Sequence, residues 1–392
     1  MKHTKRFLAV LLVVAMVLSV LPMAAFASNS KSALTEKTAT TGSSAAIADK
    51  GFKSTAFKAL NSYQYKDDEL VRAIILLDGE AAANVAESSR ASVRTRLAKQ
   101  HADLRKAMAD ISYTELFEYD TLLNGLAVET AYGNLDKIAA LAGVKAVYIS
   151  NRYSTPVMTP AEKMDSSNSM TGAAYLQTSG ILGSGTVIAV LDTGITPDHE
   201  AFAVYDGMLE KAALTKEGAE AAIADKGYGT YLSQKIPFSY DYYDLDEDAT
   251  DDKSGHGTHV SGIAAGYAAT EEGEITFCGT APDAQILAMK IFSSGSSSGT
   301  YSDIYFAALE DAYELGADVI NMSIGAQNGF TYDPELENEV FGNVYETLEK
   351  NGVLNIVAAG NEYSQAYYSS GWAGSGYITS DFTDYGVVGS PS

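Results

Sequence analysis

Three polar residues stand where apolar runs give way. Asp192 closes TVIAVLD (186–192), His256 lies in SGHGTHVSGIAAG (254–266), and Asn361 follows VLNIVAA (353–359) in AAGN. A carboxylate, an imidazole and an amide are the groups that acyl transfer requires. The carboxylate fixes the imidazole tautomer and stabilises the imidazolium. The imidazole takes a proton from a nucleophile, and the amide stabilises the oxyanion. Each residue alone has a plainer use: an Asp caps turns, a His among glycines is structural, and an Asn after Ala-Gly is a turn residue. Their joint arrangement is what points to chemistry.

The elements that must hold them read as an α/β fold. TVIAVLD is almost continuously apolar, as a strand buried on both faces of a parallel sheet should be. The helix opened by His256 comes next, then strand QILAMKIF (285–292) and a helix near 303–315. That helix places Ile304, Ala308 and Leu315 on one face and stops at Gly316. Strand DVINMSI (318–324), a helix near 334–350 and strand VLNIVAA complete an alternation that predicts a parallel sheet flanked by helices. Ligands gather at the carboxyl ends of such strands, where all three polar residues fall. SSGSSSG (293–299) reads as a flexible loop.

Upstream, the pattern differs. Strand LVRAIILLDG (70–79), a helix over roughly 83–110, NGLAVET (124–130), a short helix around 134–141 and VKAVYIS (144–150) predict a small βαββαβ-like unit. Residues 28–66 are rich in Ser, Ala, Thr and Lys and read as a linker. The first 27 residues have the form of a secretory signal, with Lys2, Lys5 and Arg6, an apolar Phe7–Leu21 and Ala25-Phe26-Ala27. No second apolar run is long enough to span a membrane.

The 392 residues carry a net charge of −23, which disfavours nucleic acid or an anionic membrane as a partner. One cysteine, Cys278, excludes an intrachain disulfide and a cysteine-based metal cage.

The blocks VLDTGI, SGHGTHVSGIAAG, GTAPDAQILAMKIF, INMSIG and VAAGN, in this order over roughly residues 170–392, resemble the signature blocks of the subtilisin-like serine proteases, the subtilases. The resemblance implies a subtilisin-like parallel sheet flanked by helices, with its C-terminal part missing here and a small α+β propeptide before it. It implies Asp192 as triad acid, His256 as general base and Asn361 as oxyanion donor. Ser323, Ile324 and Gly325, with Ala358, Ala359 and Gly360, resemble the backbone segments that flank an extended substrate peptide. KIPFSYDYYD and DYGVVGSPS look like the lactocepin and C5a-peptidase group of cell-envelope subtilases. Residues 67–150 are similar to the family's inhibitory propeptide, with a processing linker at 151–166 and an incomplete catalytic domain at 167–392. The implied protein is an exported endopeptidase precursor, secreted or envelope-associated. Its partners are a protein or peptide substrate and its own propeptide as intramolecular inhibitor.

The family's nucleophile sits in a G-T-S-x-A block that these residues lack. The chain is therefore expected to be a fragment, inactive as it stands. The alternative is a non-catalytic pseudoprotease or peptide-binding protein. Zinc is disfavoured, since HGTH, with His256 and His259 three apart, lacks the glutamate and spacing of HExxH. A dinucleotide or P-loop motif is absent from the sequence. No cofactor is expected for catalysis. A structural calcium is compatible with the family, but DYYDLDEDATDD (241–252), read from Asp244, fails the EF-hand pattern at Ala249 and Gly255 and assigns no ligand.

Overall fold

TVIAVLD becomes the middle strand of a five-stranded parallel sheet, and every residue from Val187 to Asp192 is buried. The computed structural model describes residues 65–153, 164–251, 253–294, 299–325, 340–359, 367–369 and 375–377. The signal region, nearly all of the 28–66 linker, the segment 334–339, residues 295–298 and both Gly360 and Asn361 lie outside them.

In chain order the N-terminal unit contains β1 (Leu70–Leu77), α1 (Glu87–Ala107), β2 (Tyr113–Tyr119), β3 (Gly125–Ala131), α2 (Leu135–Ala139) and β4 (Val144–Ile149). This is the expected βαββαβ unit, closed as an antiparallel sheet in the order β2-β3-β1-β4. Side chains alternate across a strand, and β1 uses both faces. Val71, Ala73, Ile75 and Leu77 pack with Leu104, Met108, Leu135 and Ile138 of the helical layer. Ile74 and Leu76 face the opposite way, into the main core.

The remaining elements are β5 (Arg152–Tyr153), α3 (Met164–Thr171), α4 (Ala173–Thr178), β6 (Val187–Asp192), α5 (Lys216–Lys226), β7 (Phe238–Asp241) and α6 (His256–Ala265). They continue with β8 (Tyr267–Ala269), β9 (Ile275–Cys278), β10 (Gln285–Lys290), β11 (Thr300–Tyr301), α7 (Ser302–Glu314), β12 (Val319–Met322), α8 (Gly342–Lys350) and β13 (Leu354–Val357). A short antiparallel pair, β14 (Tyr367–Ser369) and β15 (Ser375–Tyr377), follows.

The parallel sheet has the order β13-β12-β6-β10-β7. Val187, Ala189 and Leu191 join the core beneath α7, while Ile188 and Val190 pack with Ala265 of α6. Burying a Val, Ile or Leu completely stabilises by roughly 1.5–3 kcal/mol, so β6 is a rigid platform for the residue at its end. The chain runs from β10 to β12 across β6, and in open parallel sheets such a change of side is where ligands gather at the strands' carboxyl ends.

Helix α7 departs from the expected amphipathic pattern. Its apolar face covers the sheet, yet Asp303 and Glu310 are buried too, because the N-terminal sheet lies on them. Glu310 accepts from the backbone N–H groups of Thr121, Leu122 and Leu123 at 3.2, 2.6 and 2.9 Å, and from Asp120 at 3.3 Å. Burial pushes its pKa up to about 8, against those donors. Tyr119 donates to the Asp303 carbonyl at 2.7 Å.

Two short strands add detail that the sequence did not indicate. Arg152 and Tyr153, at the start of the expected processing linker, form β5 and pair antiparallel with β11. Thr300 and Tyr301, directly after the Ser/Gly run, form an edge strand that serves as the docking partner.

Candidate active site

Asp192 ends β6 with its side chain 1% exposed, and His256 opens α6. His256 Nδ1 lies 2.7 Å from Asp192 Oδ1, which also accepts from the Thr193 N–H at 2.7 Å. Asp192 Oδ2 has no hydrogen-bond partner among the described residues. The imidazole is 14% exposed, so the ring is held on its Nδ1 side and reachable from outside.

Backbone proximity explains the glycines. The turn after Asp192 requires Gly194 at φ +108, where a Cβ would fall 2.4 Å from the Ala249 carbonyl oxygen. A Cβ on Gly257 would fall 2.2 Å from the Gly194 carbonyl oxygen and 3.2 Å from Asp192 Cβ. Only glycine lets the first turn of α6 come this close to the end of β6.

A hydrogen-bond chain ties the two elements further. Gly257 N–H donates to Thr193 Oγ1 at 2.9 Å, and Thr193 Oγ1 donates to the buried Asp251 Oδ2 at 2.6 Å. Asp251 Oδ1 in turn accepts from the Ser254 N–H at 3.0 Å. Sequence reasoning missed Thr193 and Asp251. The signal was present, since one directly follows the strand-end Asp and the other stands five residues before the His. For Asp251 the signal is diluted by the many acidic neighbours in 241–252.

The electrostatics suit a base. Burial opposes charge on His256, but the hydrogen bond and charge of Asp192, with Asp251 beyond it, prevail and raise its pKa above that of free imidazole. Burial also pushes the Asp192 carboxyl up, against the pull of His256 and the Thr193 N–H. The imidazole therefore binds a proton more readily than in water, and with Nδ1 donating to Asp192 its Nε2 is the basic nitrogen.

Ser323, Ile324 and Gly325 follow β12, and Ala358 and Ala359 follow β13, so both segments lie at the same rim as Asp192. The Ala358 N–H donates to the Met322 carbonyl at 3.0 Å. Lys290, in register with Asp192 on one side and Asp241 on the other, forms a buried ion pair with Asp241.

Among the described residues no group of three or more His, Cys, Asp or Glu side chains is placed to hold a metal ion. Besides the Asp251 and Lys290 contacts, the acidic stretch caps its own turns: Asp241 accepts from Tyr243 and Asp244 N–H, Asp246 from Asp248, and Asp248 from Thr250. These side chains cap turns and do not converge on one point. No helix among the described residues is long and apolar enough to cross a membrane.

Residues 183–383 match the family described as the Subtilase family. The chain belongs to the subtilases. The PIII-type proteinase of Lactococcus lactis subsp. cremoris (strain SK11) is 30% identical over 282 residues, covering 70% of this chain and 13% of that protein. A C5a peptidase of Streptococcus pyogenes is 35% identical over 215 residues, covering 54% of this chain and 17% of that protein. The expected likeness to the lactocepin and C5a-peptidase group is borne out. The chain spans less than a fifth of the length of these relatives. The parallel sheet flanked by helices is the subtilase architecture, and its Asp and His blocks fall on adjoining elements at one sheet rim.

Proposed function

We propose that this chain is the precursor portion of an exported serine endopeptidase. The observation that carries the reading is the 2.7 Å contact between His256 Nδ1 and Asp192 Oδ1 at the carboxyl rim of the parallel sheet. His256 Nε2 would remove the proton from a serine hydroxyl as its oxygen attacks the peptide carbonyl carbon. The imidazolium then gives that proton to the leaving amine, and water repeats the sequence to cleave the acyl-serine ester. Asp192 orients the ring and stabilises its charged form without taking the proton. Asn361 would donate its side-chain amide to the oxyanion, a contribution of about 10²–10³ in rate. Ser323–Gly325 and Ala358–Gly360 would flank the substrate backbone. The nucleophile belongs to a G-T-S-x-A block, which residues 1–392 do not contain, so these residues alone would bind and position but not hydrolyse.

Residues 67–150 take the part of an intramolecular inhibitor. Support comes from β5 lying on β11 and from the contacts of Arg72, Tyr119 and residues 120–123 with α7. Residues 1–27 direct export, and the site of action is extracellular or at the cell envelope.

A fluorophosphonate probe tests the reading. A protein that carries residues 1–392 and a downstream G-T-S-x-A block should become covalently labelled after removal of the N-terminal unit, and His256→Ala should abolish the labelling. Labelling of residues 1–392 alone would show another nucleophile. A stop codon at 393 with stable secreted protein would replace the protease with a peptide-binding protein.

A further inference from the structure

Arg72 of β1 reaches out of its own sheet to the start of α7. Its Nε donates to both oxygens of Asp303, at 3.3 and 3.1 Å, and its Nη2 donates to Oδ2 at 2.5 Å. The Asp303 side chain is fully buried and that of Arg72 is 18% exposed. The guanidinium carbon also stands 5.0 Å from the centroid of the Tyr301 ring. One edge of the cation thus meets a carboxylate and one face meets an aromatic ring. This pairing selects arginine, because a lysine ammonium has neither the parallel donors nor a planar face to stack.

The location gives the pair its meaning. Asp303 follows Ser302, whose N–H donates to the Asn151 carbonyl at 3.0 Å and whose Oγ accepts from the Asn151 N–H at 3.0 Å. The next two residues of that extended segment pair with β11, Tyr301 opposite Arg152 and Thr300 opposite Tyr153. Tyr153 is buried, its ring 5.7 Å from that of Tyr305. Asp303 therefore stands one residue beyond the strand edge that takes the extended segment 151–153, on its upstream side. Arg72 enters from a neighbouring strand, where its carbonyl accepts from the Ser150 N–H at 2.9 Å.

A carboxylate in the first turn of α7 also favours the helix, but that role needs neither full burial nor an aromatic face beside it. We infer that Tyr301 and Asp303 form an arginine-binding subsite at the β11 strand edge, held in this chain by Arg72 and open to an arginine of an extended polypeptide once the N-terminal unit is displaced. The polypeptide occupant rests on the proposed protease reading; the guanidinium site does not.

The test begins with binding to the full 392-residue chain carrying Arg72→Ala, or Arg72→Met where the smaller side chain impairs folding. Methylguanidinium, which fits the space that the Arg72 side chain leaves, should bind at least tenfold more tightly than the near-isosteric, uncharged methylurea, followed by NMR shifts of Asp303 and Tyr301, and binding of neither probe by this variant overturns the subsite. Adding Asp303→Asn should erase the difference, and the unaltered chain should bind neither probe. Equal binding of the two probes, or methylguanidinium binding untouched by Asp303→Asn, overturns the subsite. In catalytically competent protein, peptides with arginine two or three residues before a tyrosine should exceed their citrulline counterparts at least tenfold in kcat/KM, and Asp303→Asn should bring the ratio near one. Cleavage with no arginine preference overturns the polypeptide occupant. Absence of any cleavage sinks the protease reading and leaves the binding measurement to decide the site.

Discussion

Replacing Glu310 by alanine should release the turn that joins β2 to β3 without disturbing the parallel sheet. The Glu310 carboxyl is the acceptor for the N–H groups of Thr121, Leu122 and Leu123, at 3.2, 2.6 and 2.9 Å, all taken by Oε1. A buried donor left without an acceptor costs about 1–3 kcal/mol, which for this set is about 3–9 kcal/mol before relaxation. Loss of the buried carboxyl returns part of its desolvation cost, and water can enter the vacated space. The net loss should be about 2–4 kcal/mol, or about a 30- to 1,000-fold rise in local opening at 1.4 kcal/mol per tenfold. Oε1 accepts in either protonation state, so the effect should persist across pH. Hydrogen exchange of the amides of residues 121–123 reads this opening directly. Amides of β6 and β10 serve as the internal reference, and Glu310→Gln, which retains Oε1, should stay within about tenfold of the unaltered protein. If exchange at 121–123 in Glu310→Ala stays within about threefold of the unaltered protein, the contacts do not hold this turn and the reasoning is wrong.

Three further outcomes are expected. Gly257→Ala puts a methyl 2.2 Å from the Gly194 carbonyl oxygen; the forced withdrawal of α6 should cost about 1–3 kcal/mol, and an unchanged urea midpoint would contradict it. Asp192→Asn removes the partner that raises the His256 pKa, so its ring should titrate at lower pH than in the unaltered protein, and an equal or higher titration point by NMR would refute the assignment. Glu118 is held down to about 2 by its hydrogen bond from His101, with Arg105 assisting and burial opposing. Its folded pKa lies below the usual carboxylate value, so its contribution is complete above about pH 4.5 and fades as pH falls through about 2; melting between pH 6 and pH 3 should fall less steeply in Glu118→Gln.

Much of the fold was legible because its signals are local. β6 announces itself as an apolar run, the N-terminal unit follows its alternating elements, and α6 begins at the residue where the glycines bend the chain. The acid and the base were legible for the same reason, since each terminates an element and the elements adjoin. Other features depend on distant contacts. β7 (Phe238–Asp241) is only four residues long and is a strand because β10 lies beside it. β11 has two residues, next to a Ser/Gly run, and acquires strand geometry by pairing with β5, more than 140 positions upstream in the sequence. One omission had a local signal: α5 carries its own start and stop, Thr215 accepting from the Gly218 N–H and Gly227 at φ +78.

Helix α7 shows why an amphipathic pattern does not by itself reveal what covers a helix. Asp303, Glu310 and Glu314 recur at spacings of seven and four, a carboxylate stripe that reads as the solvent face. In the structure that stripe meets Arg72, the N–H groups of residues 120–123, and Arg94 with Thr121. A second apolar face would have bound the N-terminal sheet by burial alone, and its separation would leave that face unsatisfied in water. Carboxylates exchange protein donors for water at modest net cost, since a typical intramolecular hydrogen bond contributes only about 0.5–1.5 kcal/mol and those to charged groups about 1.5–3 kcal/mol. The same residues therefore make an interface that is specific while docked and soluble when parted. These polar contacts stand beside apolar ones, in which Ile74, Leu76, Leu122 and Leu123 join the main core, and such a mixed interface suits the inhibitory role proposed for the N-terminal unit.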